Sequence, residues 1–532
     1  ARRDPKPGAG TRLPPSQASD GDYDTPGKTL SFTRLPSQGG HTRRYKGGTA
    51  QSVWRFAEGD AEAVCLTADY TGTSRRPMVW NGRIYFVTDR DGTMNLWSML
   101  PDGTGLEQHT RHQGWDVQTP ALDGGRIVYQ LGADIRLYDI ATASDRAVPI
   151  TLDSDLDQTR EQWIDKPMDY LTAAHISADG GRIVLTARGE VFTAPVKQGR
   201  FVQVSREEGV RYRNARFLPD GKSLLALSDA SGEVEFWTFP ANGVGEGRQL
   251  TKDGEILRWD GLPSPDGKLV AHWDKRQRLF LLDIASGRNT LVEASTVDQI
   301  SDVAWSPDSR WVAYVARAEN SFRRIRIYGV ADGSITSVTS DRFDSYSPAW
   351  SPDGKRLYFL SDRNLVSVTH GPWGSYAPEP FLDKTGQIYE LALTEGLRSP
   401  FAPDTELAGG EEDAAGAKNG KDAGKEDASE GPPEVRIDKE GIQERLTLTP
   451  IPPGNYASLV ATEEALFWLS SPAGAAKPDL LGAEITNEDL ETKTIAAGVE
   501  SYELSGDGKK LLLRKGETFH VIDAAAAVAE LE

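Results

Sequence analysis

The sequence predicts an all-β protein of tandem β-propellers, an incomplete one of about three blades followed by a seven-bladed one. Three observations carry this. Ala304-Trp305-Ser306-Pro307-Asp308-Ser309-Arg310-Trp311-Val312-Ala313-Tyr314 recurs as Ala349-Trp350-Ser351-Pro352-Asp353-Gly354-Lys355-Arg356-Leu357-Tyr358-Phe359. The Asp anchors of the copies, Asp179, Asp220, Asp266, Asp308 and Asp353, are spaced by 41, 46, 42 and 45 residues, the period of one four-stranded blade. Between the anchors, alternating apolar runs are punctuated by Asn-Gly and Asp-Gly, which supply the positive φ angles of tight hairpins.

In chain order, residues 1–27 are rich in Pro, Gly, Ser, Asp and Arg without apolar periodicity and read as loop or disorder. Residues 28–152 hold three blades. A short strand at 28–34 and the alternating run Ser52-Val53-Trp54-Arg55-Phe56 belong to the first. The second is clearest, with Met78-Val79-Trp80, the turn Asn81-Gly82, Arg83-Ile84-Tyr85-Phe86-Val87, the turn Asp91-Gly92 and Asn95-Leu96-Trp97. The third runs from Trp115 to Leu152. Three blades do not close a ring of the usual roughly 4–8. A polar, acidic stretch at 153–164 is the expected linker. Residues 165–525 then hold blades starting near Leu171, Tyr212, Leu257, Ile300 and Phe343, with two more around 456–485 and 500–522, which makes seven. The gap in this series contains 408–433, almost wholly Gly, Ala, Asp, Glu and Lys, which cannot bury enough apolar surface to offset chain entropy and is expected to be a disordered surface loop. Residues 526–532 read as a truncated tail.

Within each repeat, Trp or Phe before Ser-Pro-Asp is placed to pack between sheets, Pro fixes φ, and Asp-Gly turns the chain from the innermost strand to its neighbour. Asp89-Arg90 and Asp362-Arg363 recur at equivalent positions and are read as ion pairs bracing adjacent blades.

The 532 residues carry 60 basic and 79 acidic side chains, a net charge of -19, which argues against nucleic acid as a partner. No run approaches the roughly 18 apolar residues of a membrane span. The single cysteine, Cys65, flanked by Ala63-Val64 and Leu66, reads as a buried strand residue, and one cysteine in so long a chain points to a reducing cytoplasm. The first methionine is Met78; with the blade count, this leads to the expectation that the sequence is part of a longer chain.

No catalytic constellation is legible. His41, His109, His112, His175, His272, His370 and His520 are scattered over different blades and loops. The His109-x-x-His112 pair has no helix to align it and no adjacent Glu, so no metal site is assigned. Neither a G-x-S-x-G elbow nor a phosphate-binding G-x-x-x-x-G-K-[ST] loop occurs, and no cofactor is expected. One binding candidate stands out. Arg43 and Arg44, beside Lys46 and Gly47-Gly48, put adjacent guanidinium groups on a flexible loop, an arrangement able to clamp a peptide's terminal carboxylate. A solvated basic loop packed on a neighbouring domain is the alternative.

The runs Arg43-Arg44-Tyr45-Lys46-Gly47-Gly48-Thr49-Ala50-Gln51-Ser52-Val53-Trp54, Asp89-Arg90-Asp91-Gly92-Thr93-Met94-Asn95-Leu96-Trp97 and Pro452-Pro453-Gly454-Asn455-Tyr456 resemble the amino-terminal half of tricorn-type proteases, over about residues 28–525. The resemblance implies that 28–152 are the last three blades of a six-bladed propeller and 165–525 a whole seven-bladed one, followed in the parent chain by a PDZ-like module and a serine-protease core. It implies a cytoplasmic, hexameric serine peptidase acting on oligopeptides, whose propellers serve substrate access and product exit. None of the family's catalytic residues can be matched here, so this chain alone is expected to be inactive. The blade motifs are shared with TolB-like propellers, and two alternative readings stand: a non-catalytic TolB-like scaffold binding a protein partner, and the propeller lid of a prolyl-oligopeptidase-like hydrolase.

Overall fold

A computed structural model describes residues 15, 17–25, 27–36, 43–161, 163–368, 381–403 and 432–531. The acidic run 408–433 lies outside these residues except for Pro432 and Pro433. Among the described residues the chain is all-β, with only short 3-10 turns such as Pro167–Tyr170. It divides into two compact units, 1–161 and 162–532.

The first unit holds three four-stranded antiparallel sheets. Their innermost strands are Ala18–Tyr23, Ser74–Trp80 and Val117–Asp123. The first and second sheets share a core of Val53, Leu66, Ile84, Phe86 and Met99. A larger core around Tyr85, Leu96, Val117, Ile127 and Tyr129 joins the second to the third.

Two readings of this unit need correction. Residues 18–23 lie within the span expected to be loop, yet they pair antiparallel with Thr29–Arg34, Asp22 opposite Ser31 and Tyr23 opposite Leu30. Backbone hydrogen bonds and a turn hold this strand: Asp24 Oδ1 accepts from the amides of Lys28 and Thr29, both at 2.8 Å. Its side chains are largely exposed, so it carries no apolar period. Cys65 is half-buried rather than buried, because it sits in the two-residue outer strand Val64–Cys65.

Among the described residues the second unit holds a two-stranded sheet of Ser367–Val368 with Phe381–Leu382 and seven blade sheets, here blades 1 to 7. Their innermost strands are Leu171–Ile176, Tyr212–Phe217, Arg258–Pro263, Ser301–Trp305, Ser345–Trp350, Tyr456–Ala461 and Ser501–Leu504. Blades 1 to 6 have four strands, blade 5 drawing its fourth, Leu446–Leu448, from beyond the acidic run. Blade 7 has three among the described residues. The ring closes where the Asp507 amide donates to the Ala178 carbonyl at 2.9 Å, joining blade 7 to blade 1. Residues 526–531 are docked: Ala526 is buried and the Ala529 amide donates to Ile495 O at 3.0 Å.

The repeat chemistry is visible atom by atom. In blades 1, 3, 4, 5 and 7 the Ser hydroxyl donates to the Asp carboxylate two residues on, at 2.5–2.6 Å. The same hydroxyl accepts from the amide five residues on, as Trp311 N to Ser306 Oγ at 2.9 Å. The Asp carboxylate in turn accepts a turn amide, as Arg310 N at 3.1 Å. This closed triangle explains why Ser and Asp recur together. The turn needs positive φ after Asp, which Gly354 supplies at 68° and Ser309, a non-glycine, at 63°. The tryptophans lie between blades: Trp305 Nε1 donates to Leu262 O at 3.0 Å and Trp350 Nε1 to Ala304 O at 3.1 Å.

The Asp-Arg dipeptides make their ion pairs with outside partners. Their two members do not pair with each other. Arg90 pairs with Asp69 at 2.7 Å while Asp89 accepts from Tyr70 at 3.0 Å. Asp362 accepts from Tyr346 and lies 3.6 Å from Arg323 of the preceding blade, whereas Arg363 stacks on Phe343 and Tyr389.

Candidate functional site in the seven-bladed ring

An innermost strand of a blade is hydrogen-bonded on one side only, so its other edge faces the lumen. Such free edges invite strand addition unless they are distorted or capped. Here both devices are present. Six of the seven innermost strands carry a register shift, and at four of these shifts a non-glycine residue, Asn214, Asp302, Ser347 or Ser458, adopts a φ of 47–55°. Next to these bulges, side chains of one blade cap amides of the next. Asp302 accepts from Ser347 N at 2.8 Å, Ser347 Oγ from Leu459 N at 2.8 Å, and Glu503 from Ile176 N at 3.2 Å.

On one side of the ring the innermost strands also carry a chain of charges. Glu503 of blade 7 meets His175 of blade 1 at 3.0 Å, Arg216 of blade 2 approaches Glu503 at 3.6 Å, and Arg216 pairs with Asp260 of blade 3 at 2.9 Å. They line a cavity of about 520 Å³ together with Thr172, Ser501 and Phe519. Burial works against the Glu503 carboxylate, but His175, Arg216 and the Ile176 amide outweigh it and hold the group below its ordinary range. His175 Nδ1 stands 3.0 Å from Glu503 and 3.1 Å from Arg216. It donates to the carboxylate when protonated and accepts from the guanidinium when not, and cannot do both. Among the described residues the hydrogen bonds of His175 run to these two partners. The cluster is suited to orienting charge.

The sequence reading missed this cluster, although a signal existed. His175 and Arg216 stand two residues before the repeat positions Ser177 and Leu218, and Glu503 two before Ser505. Other blades place Leu262, Ala304, Ala349 and Val460 there. A charge in that register marks the joints among blades 7, 1 and 2.

The residues singled out in the first unit are placed as follows. Arg43 donates through Nε to Asp116 at 2.9 Å and through its second guanidinium nitrogen to Gly114 O at 3.2 Å, while also pairing with the other Asp116 oxygen at 2.9 Å. Its fork is thus engaged by a carboxylate of the chain itself. Burial alone would raise the Asp116 carboxyl; Arg43 and the Met94 amide pull it below the ordinary range. Arg44 is exposed, at φ 55°. The structure therefore does not bring the two guanidinium groups together on one open site. His109 lies between Tyr138 at 3.1 Å and Ser98 at 2.8 Å, and His112 bonds Tyr129 at 2.8 Å. Each histidine is a hydrogen-bonded part of the sheet packing.

A closed seven-bladed ring and, earlier in the chain, a unit of three blade-like sheets define a tandem-propeller protein. A model of the tricorn protease second β-propeller domain matches residues 171–525, and one of the tricorn protease N-terminal β-propeller domain matches 3–144. The chain belongs to the tricorn protease family. It is 29% identical over 508 residues to tricorn protease homolog 1 of Streptomyces coelicolor, covering 88% of this chain and 44% of that one. To the tricorn protease homolog of Saccharolobus solfataricus it is 27% identical over 490 residues, covering 90% and 42%. The crystal structure of the tricorn protease superposes with a TM-score of 0.60 at 19% identity, over 95% of this chain and 47% of that one. The chain thus spans less than half the length of these relatives.

Proposed function

We propose that this chain is the propeller portion of a tricorn-like serine peptidase that degrades oligopeptides, with the seven-bladed lumen as the way in for unfolded peptide and the three-bladed unit as part of the exit route. The observation that supports this reading is the match of both propeller models in the family's order, combined with a lumen whose strand edges are bulged and capped. An extended chain meets bulged and partly capped edges there and can slide rather than pair. Catalysis belongs to PDZ-like and protease domains in the same parent polypeptide, a cytoplasmic homo-hexamer, and the 532-residue chain alone turns over no peptide. In the exit unit, Arg44 is the arginine left open to a peptide carboxylate, with Arg43 holding the loop through Asp116.

The test uses the full-length parent. Trp in place of Thr172 and of Ala457, exposed residues of two innermost strands, should slow hydrolysis of long unfolded peptides at least roughly tenfold and leave short fluorogenic peptides unaffected. Equal effects on long and short substrates would refute passage through this lumen.

A further inference from the structure

The turn from innermost strand to neighbour is closed by an aspartate in six blades and not in the other. Asp179, Asp220, Asp266, Asp308, Asp353 and Asp507 each accept the amide two residues on. Blade 6 has Thr462-Glu463-Glu464-Ala465 instead. Thr462 Oγ1 donates to the Ala465 carbonyl at 3.1 Å and accepts from its amide at 3.0 Å, so the turn closes without either glutamate side chain. Both glutamates are exposed, and among the described residues neither carboxylate has an ion pair or a hydrogen bond.

Free of that duty, Glu463 and Glu464 line two cavities that meet. One, of about 620 Å³, touches the turns of blades 4, 5, 6 and 7 and so lies at that end of the lumen, with Pro307 and Pro352 on its wall. The other, of about 870 Å³, runs between blades 5 and 6 past Pro400 to Ile485. Pro352 and Thr462 belong to both, which makes them one groove. Most charges on its walls are matched within the chain: Glu484 by Lys493 at 3.6 Å, Asp353 by Arg356 at 3.5 Å and Asp523 by Lys510 at 2.5 Å. Among the described residues Lys509 is the unpaired cation there, against the carboxylates of Glu463, Glu464 and Asp507.

Tyr358 is an independent sign of a ligand. It is 1% exposed and lines the outer cavity, yet among the described residues its hydroxyl has no hydrogen-bond partner. Burial, and then the Glu390 carboxylate, push the phenol up, so it stays neutral and can donate. A hydroxyl held from water without a partner is costly, and a bound carbonyl relieves that cost.

We propose that this groove seats an extended peptide, its ammonium groups on Glu463 and Glu464 and a main-chain carbonyl on the Tyr358 hydroxyl, so that the ring gathers positively charged peptides at this end of its lumen. The proposal rests on reading the chain as a peptide-handling propeller. Its test is binding without hydrolysis, so failure here and failure of passage are told apart.

The probe is an unfolded peptide with lysines along its length, a free amino end and a dye at its carboxy end, read by fluorescence anisotropy. It should bind the 532-residue chain more tightly than its lysine-to-glutamate counterpart, and less so in high salt. Glu463→Gln with Glu464→Gln should weaken binding at least about fivefold. Glu207→Gln with Glu208→Gln, the same change in net charge on the loop after blade 1, should leave it unaltered. Tyr358→Phe should weaken basic and acidic peptides alike, about fivefold, without lowering the urea midpoint, because the hydroxyl has no partner in the fold to lose. Acetylation of the amino end and replacement of the lysines by glutamine separate the two sources of ammonium. A peptide that binds as well after both changes, equal losses in the two glutamate pairs, or unchanged binding to Tyr358→Phe would each overturn the proposal.

Discussion

His272 should make the seven-bladed unit acid-sensitive in a window fixed by its burial. The residue is 2% exposed, with its ring edge-on to Phe236 at 5.0 Å and stacked on Phe280 at 5.2 Å. Nε2 lies 2.8 Å from Asn289 Oδ1, and Asn289 Nδ2 donates to Asp253 at 3.0 Å, which assigns the proton of the neutral ring to Nε2. Burial pushes the imidazole down to about 4, against a smaller upward pull from Asn289. The unfolded chain has the ordinary value of about 6.5, so between these limits the unfolded state binds the extra proton. Stability is therefore full above about 6.5, falls as the pH drops, and levels off below about 4. From neutral pH to 4.5 the loss from this group alone is about 2 kcal/mol, and about 3 kcal/mol in the acid limit. Carboxylates held low by their partners, such as Asp253, add their own acid loss, so the difference against His272→Gln isolates the imidazole. The assay is urea unfolding at pH 7.5, 6, 5 and 4.5, read by pulse-labelled hydrogen exchange of the peptide 269–283. Parallel loss of stability in parent and variant across this range would refute the reasoning.

Two further outcomes follow from packing. Arg258→Met strips the counter-charge from Glu235, both side chains being at most 5% exposed and 2.6 Å apart, and should destabilise the unit by about 3–5 kcal/mol in chemical denaturation. Adding Glu235→Leu should restore most of it, and a single variant within about 1 kcal/mol of the parent would contradict the buried-pair reading. Trp350→Phe removes the indole donor to Ala304 O and should cost about 1–2 kcal/mol, measurable by the same method; no loss would mean that this hydrogen bond contributes nothing at the joint.

The repeat made the blades legible because its signals are local. Ser, Pro, Asp and Gly must stand at fixed spacing to close one turn, and Ser306, Asp308 and Trp311 show those bonds within five residues. Strand 18–23 escaped because its hold on the sheet is backbone pairing, which leaves no apolar trace. The charged cluster escaped for the opposite reason. His175 and Glu503 are 328 positions apart, and only closure of the ring brings them together. Arg43 looked free in the sequence because its carboxylate, Asp116, lies 73 positions away.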